Sequence, residues 1–192
     1  MNMLMKKVSV YAVSVSTMLG FIAVSTPVSA DGEAELLQMK RTPVSVEPAL
    51  IAINDAFPGL IYELELDEHR GQLVYDAEVV NLKDGTLYEV MYRPVSGNVE
   101  LKETENISLL GFNRFNKAEL HALELMEQHK YSLIDQLAKV KANYPGAIRE
   151  VELESDKGVS YYKIKLISPE GVRRKVILDT ENGEMIPVMD HD

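Results

Sequence analysis

The sequence predicts an α+β fold of two tandem repeats, each a helix packed on a four-stranded antiparallel sheet. Three observations lead there. The stretch from about Ser45 to Leu101 recurs from Ser132 to about Pro187. Phe57-Pro58-Gly59 matches Tyr144-Pro145-Gly146, Glu63 and Glu65 match Glu150 and Glu152, and Gly71 and Tyr75 match Gly158 and Tyr162. The offset is 87 residues up to that point and 86 after one deleted residue, where Gly85 falls on Gly171 and Gly97 on Gly183. Both copies also pass from apolar residues at helical spacing to period-2 alternation at equivalent positions. A period carried by turn glycines and core aromatics marks duplicated supersecondary structure.

The elements follow in chain order. The first thirty residues read as a secretory signal peptide: Lys6 and Lys7 lead an apolar stretch from about Val8 to Val24, and Val28-Ser29-Ala30 offers a small-residue cleavage site after Ala30. A faint helical pattern spans Glu33 to Met39. Its Ala34-Glu35-Leu36 matches Ala118-Glu119-Leu120, which would extend each repeat to helix–loop–helix–sheet. In the first copy Ser45 is the candidate N-cap, Pro48 is tolerated in the first turn, and Val46, Leu50, Ile53 and Phe57 form an apolar stripe. Leu133, Leu137, Val140 and Tyr144 repeat it, and Pro-Gly ends both helices.

Strands come next. Ile61, Leu64 and Leu66 mix with Glu63, Glu65 and Asp67, while Val151 and Leu153 alternate with Glu150, Glu152 and Glu154. Such a pattern is a half-buried strand with an acidic outer face. Val74–Val80 and Tyr161–Ile167 are second strands, closed by turns at Asp84-Gly85 and Glu170-Gly171. Leu87–Tyr92 and Arg174–Leu178 are third strands, and Ser96-Gly97 or Asn182-Gly183 leads to a short fourth. Lys102 to Phe115 reads as irregular. Asn116 with Glu119 resembles a capping box ahead of a helix bearing Leu120, Leu123, Leu125 and Met126. The divisions are therefore signal peptide 1–30, first repeat 31–103, linker and connecting helix 104–129, and second repeat 130–192.

Composition narrows the function. The chain has no cysteine, which excludes disulfides, cysteine–zinc sites, thiol catalysis and a lipid anchor on cysteine. Without its first thirty residues it carries 18 basic and 30 acidic residues, a net charge of −12. That argues against nucleic acid or anionic lipid as the main partner. From Pro43 to Glu103 there are 4 basic and 12 acidic residues, a net of −8; from Lys130 to Asp192 there are 10 and 11, a net of −1. The copies share a core and differ in surface.

A helix ending in (Phe/Tyr)-Pro-Gly, a Glu/Leu-alternating strand, a tyrosine-bearing strand, a Gly turn and a terminal Ser-Gly or Asn-Gly together resemble the PepSY domain. Asp179 fits the domain's ending, and Arg93 departs from it in the first copy. The resemblance implies a non-catalytic α+β module that inhibits or modulates a protease, or otherwise binds a protein outside the cytoplasm. It brings no catalytic residues and no cofactor.

The residues agree. There is no G-x-S-x-G elbow, no H-E-x-x-H, no phosphate loop and no dinucleotide fingerprint. Histidines 69, 121, 129 and 191 are scattered; His121 and Glu124 share a helix face, and the tail Met189-Asp190-His191-Asp192 reads as frayed. No metal site is expected. Arg173, Arg174 and Lys175, with Lys163 and Lys165 on the neighbouring strand, are expected to pair across the sheet or to contact an acidic partner. Glu63, Glu65 and Asp67 are the candidate acidic contacts. The expectation is a periplasmic, non-enzymatic protein that recognises a protease or the external domain of a membrane protein, with no stable membrane anchor after signal cleavage. The alternative is a periplasmic carrier of a small ligand or divalent cation on the acidic sheet faces.

Overall fold

The computed structural model describes residues 37, 39, 44–109, 112–128 and 132–188. The expected signal peptide, the 189–192 tail, His129 and His191 lie outside the described residues. Of the faint helix before the first copy, Leu37 and Met39 are described and are helical.

In the first copy, helix α1 (Val46–Ala56) buries Val46, Ala49, Leu50 and Ile53. Ser45 sits at its N-cap position but makes no capping bond; its hydroxyl turns to the Glu47 carboxylate. Strands β1 (Leu60–His69), β2 (Gln72–Asn81), β3 (Thr86–Arg93) and β4 (Asn98–Asn106) follow as an antiparallel meander. After a two-stranded ribbon, β5 (Ser108–Leu109) with β6 (Phe112–Asn113), comes helix α2 (Lys117–Gln128). The capping box forms: Asn116 Oδ1 accepts from the amides of Ala118 and Glu119, and Glu119 accepts from the Asn116 amide at 2.8 Å. The second copy is helix α3 (Leu133–Asn143) with β7 (Ala147–Asp156), β8 (Val159–Ile167), β9 (Arg173–Asp179) and β10 (Met185–Val188).

Strand β4 runs past residue 103 into the stretch expected to be irregular. A bulge between Glu89 and Val90 shifts its register, so Glu103 and Glu105 pair with Glu89 and Leu87. The bulge breaks the alternation on which a sequence reading of a strand depends.

The two meanders form one eight-stranded sheet, ordered β10-β9-β8-β7-β1-β2-β3-β4. The join is antiparallel: Glu63 pairs with Glu152, Leu64 with Val151, and Glu65 with Glu150. Leu64 and Val151 are equivalent in the repeat, so a pseudo-two-fold axis passes between them. A second link repeats across that axis. The buried Tyr75 hydroxyl donates to the Ile148 carbonyl at 3.1 Å, and its counterpart Tyr162 donates to the Ile61 carbonyl at 2.6 Å. Both carbonyls lie at bulges that interrupt the ladders after Ile61 and Ile148. Helices α1 and α3 are in turn joined by the Glu47–Lys141 ion pair at 2.6 Å.

The Pro-Gly motif has a packing reason beyond stopping the helix. A Cβ on Gly59 would stand 2.6 Å from the Val80 carbonyl oxygen, and one on Gly146 would stand closer still to the Ile167 oxygen. Gly59→Ala and Gly146→Ala are each expected to destabilise by about 1–3 kcal/mol through backbone overpacking. Urea denaturation tests this, and a wild-type midpoint for both would refute it.

Candidate functional site

Strand alternation gives the sheet two faces. Leu64, Tyr75, Ala77 and Val90, with their counterparts Val151, Tyr162, Ile164 and Val176, are buried in the core. The intervening residues form the open face, and the strand registers set them in two parallel rows. One row runs Glu103, Glu89, Glu78, Glu63, Glu152 and then Lys163. The other runs Glu100, Met91, Asp76, Glu65, Glu150, Lys165 and then Lys175. The first row therefore places carboxylates opposite one another on five adjacent strands. Like charges directly opposite are destabilising in a sheet.

The second copy neutralises its share. Lys163, whose side chain is 18 % exposed, bridges Glu152 and Glu154 and lies 3.9 Å from Glu150; Lys165 reaches Glu150 at 2.7 Å. Burial works against the Lys163 charge, but its bonds to Glu152 and Glu154 push its pKa up. Burial likewise opposes ionised Glu154, yet Lys163 and Tyr161 hold its pKa below the usual carboxylate value. The first copy is less compensated. Burial, joined by neighbouring carboxylates, raises Glu63 and Glu65, and burial raises Glu78 despite Arg114 at 2.5 Å. Asp76 holds Lys102 at 3.2 Å through one oxygen, while its other is buried without a hydrogen-bond partner among the described residues.

These shifts set a pH dependence. Carboxylates with raised values destabilise when ionised, so their share of stability falls as pH rises through folded values above 4.5. Glu47 and Glu154, with lowered values, contribute stability that is lost as pH falls through folded values below 4.5. Stability is therefore expected to be higher in mildly acidic solution than at neutrality. Glu63→Gln should add about 0.5–1 kcal/mol at pH 7.5 and much less at pH 5. Urea denaturation across this range tests both, and a steady loss of stability from pH 7.5 to 5 would contradict them.

The copies differ most at equivalent open-face positions. Asp76, Glu78 and Glu89 in the first become Lys163, Lys165 and Lys175 in the second. In the first copy the segment after β4 returns over this face. Phe115 packs on Tyr62, their rings 4.8 Å apart, and Arg114 bridges Glu78 and Glu105, the latter at 2.8 Å. Burial, with Glu119 and Glu152 among its neighbours, pushes Tyr62 up to about 12. In the second copy the matching region is an open depression of about 380 Å³, lined by Arg149, Lys163, Lys165, Arg173, Arg174 and Lys175, with Glu65 and Glu150 on its floor.

The sequence-based candidates thus divide. The structure brings Lys163, Lys165, Arg173, Arg174 and Lys175 to one depression, with Lys163 and Lys165 paired across the sheet. Glu63 and Glu65 stand at the centre of the rows, whereas Asp67 lies farther along β1 and is exposed. Arg149 was missed because it sits at a bulge, where alternation gives no signal. Asp76, Glu78 and Glu89 were legible by laying one copy over the other. His121 and Glu124 are both exposed on α2. Carboxylate oxygens of Glu89, Glu103 and Glu105 lie within 4.8 Å of one another, with Glu105 engaged by Arg114.

A family model described as peptidase propeptide and YPEB domain, PepSY, matches residues 43–100 and 130–186. A solved structure of a presumed lipoprotein from Clostridium difficile 630 is 20% identical, covers 72% of this chain and 87% of that chain, and superposes with a TM-score of 0.38. No curated protein matches the chain.

Proposed function

The chain belongs to the PepSY family, and from that premise we propose that it is a non-enzymatic recognition protein, acting outside the cytoplasm, that docks the open face of its sheet on another protein. The observation that carries this is the pair of charged rows. Two copies that keep the same core hold opposite charges at 76/163, 78/165 and 89/175, and the acidic half retains opposed carboxylates at the expense of stability. Packing does not require that pattern, and a charged partner does. A protease or the external domain of a membrane sensor is the expected partner, and the periplasm the expected compartment. The leader-like first thirty residues support the location; among the described residues no helix is long and apolar enough to cross a membrane.

The test is retention. Immobilised protein from Asp31 to Asp192 is exposed to periplasmic and membrane extract, and bound proteins are identified by mass spectrometry. Selective enrichment of a protease or sensor is expected; an empty column with demonstrably folded bait would refute the reading. The cation-carrier reading has one observation in its favour, the proximity of Glu89, Glu103 and Glu105. Calorimetry with Ca²⁺, Mg²⁺ and Zn²⁺ separates the two, and flat titrations are expected.

A further inference from the structure

The first copy contains a template for how this face is occupied. There, Ile107, Arg114 and Phe115 come back over the open face, with Ile107 and Phe115 buried and the Arg114 guanidinium set between Glu78 and Glu105. The surface beneath recurs in the second copy with its charge reversed. Tyr62 becomes Arg149, Glu78 becomes Lys165, and Glu89 becomes Lys175. Leu87, fully buried in the first copy, becomes Arg173, which is exposed. A cationic segment fits an acidic floor, and the basic floor calls for the converse.

We propose that the basic depression of the second copy takes an extended acidic segment of a partner protein, laid over β8 and β9 as Ile107, Arg114 and Phe115 lie over the first copy, with a carboxylate where Arg114 places its guanidinium. This rests on the docking reading above and adds the chemistry of the partner. The depression is large enough for a side chain and its flanking backbone, at about 380 Å³. Arg173 and Arg174 are exposed and form no ion pair among the described residues, so a carboxylate gains them without breaking an existing bridge. Lys165 remains 39 % exposed beside Glu150 and can share a second acceptor. Charge-assisted bonds to a planar guanidinium also favour a carboxylate in a defined orientation.

The probe comes from the chain itself: a fluorescent peptide of residues 106–116 carrying Arg114→Glu, with the unaltered peptide as control. Each is titrated with protein from Asp31 onward and read by anisotropy. The glutamate peptide is expected to bind at least tenfold more tightly than the arginine peptide, a difference of about 1.4 kcal/mol. That preference should weaken in 0.5 M salt, where the Debye length falls to roughly 4 Å from about 8 Å at physiological ionic strength, and vanish in Arg173→Glu/Arg174→Glu. Equal affinities, or a preference that survives in that variant, would overturn the proposal. Should the reversal disturb the melting curve, Arg173→Ala/Arg174→Ala supplies the same test with less repulsion. Binding seen only after residues 189–192 are removed would make the chain's own tail the occupant and overturn the claim of a separate partner. If the peptide shows no preference while the column retains a partner, the acidic segment falls and the docking reading stands. An empty column removes the docking reading itself.

Discussion

Replacing Tyr75 and Tyr162 together by phenylalanine is expected to destabilise the protein by about 2–5 kcal/mol, since each change leaves a buried carbonyl without its donor at about 1–3 kcal/mol. Both hydroxyls are fully buried, and each reaches into the opposite repeat, to Ile148 and to Ile61. Apart from them, the strand join rests on the three residue pairs around Leu64 and Val151. The two bonds flank one pseudo-two-fold axis, so their effects are not expected to add simply. Phenylalanine keeps the ring packing, which confines the loss to the hydrogen bonds. Urea denaturation followed by circular dichroism is the measurement, and the transition should broaden as the repeats lose their coupling. A double variant within about 0.5 kcal/mol of wild type, the usual range for a surface change, would mean that the tyrosines do not tie the repeats together.

Lys163→Met is expected to destabilise by about 2–4 kcal/mol at neutral pH, near the range for breaking a buried ion pair by removing one partner. The ammonium is the shared cation of Glu152 and Glu154 and sits beside Glu150. Methionine preserves the length of the stem and removes the charge, which leaves those carboxylates in line with Glu63 and Glu65. Without Lys163, Glu154 keeps only the Tyr161 hydroxyl of the two bonds that hold its pKa down. Its ionised form then contributes less stability, and protonating the row relieves the repulsion. The loss should therefore be largest at pH 7.5 and shrink toward pH 4.5. Equal destabilisation at both values would show that Lys163 acts through packing of its stem rather than its charge.

Much of the fold was legible because the sequence repeats it. The Pro-Gly stops, the capping box at Asn116 and Glu119, and the turn glycines each state a local geometry that needs no distant partner. Arg70-Gly71 and Lys157-Gly158 show it well: in both pairs the two residues take positive φ, as the shortest hairpin turns require. The join of the two sheets was not legible. Its strands, β1 and β7, carry the same alternation whether their free edges meet each other or solvent, because a ladder is made by backbone groups common to every residue. The full length of β4 was hidden for a different reason, since none of its residues is buried and a bulge interrupts what pattern there is.

The candidate site was half visible. Pairing of Lys163 and Lys165 with the opposing glutamates follows from alternation on adjacent strands. The asymmetry of net charge, −8 against −1, pointed to divergent surfaces. What alternation cannot supply is the third dimension: that Arg114 and Phe115 come back over one half of the face, and that Arg149 joins Arg173 and Arg174 around a depression on the other.

The central claim is that the open face, not the helix-covered one, meets the partner. The most direct measurement compares retention of extract proteins by three immobilised forms: wild type, the open-face variant Arg173→Glu/Arg174→Glu/Lys175→Glu, and a helix-side variant with Ile51→Glu and Lys139→Glu, both exposed positions. Retention should drop at least tenfold for the open-face variant, the equivalent of about 1.4 kcal/mol, and stay at the wild-type level for the helix-side one. Undiminished retention by the open-face variant, or loss confined to the helix-side variant, would contradict the claim.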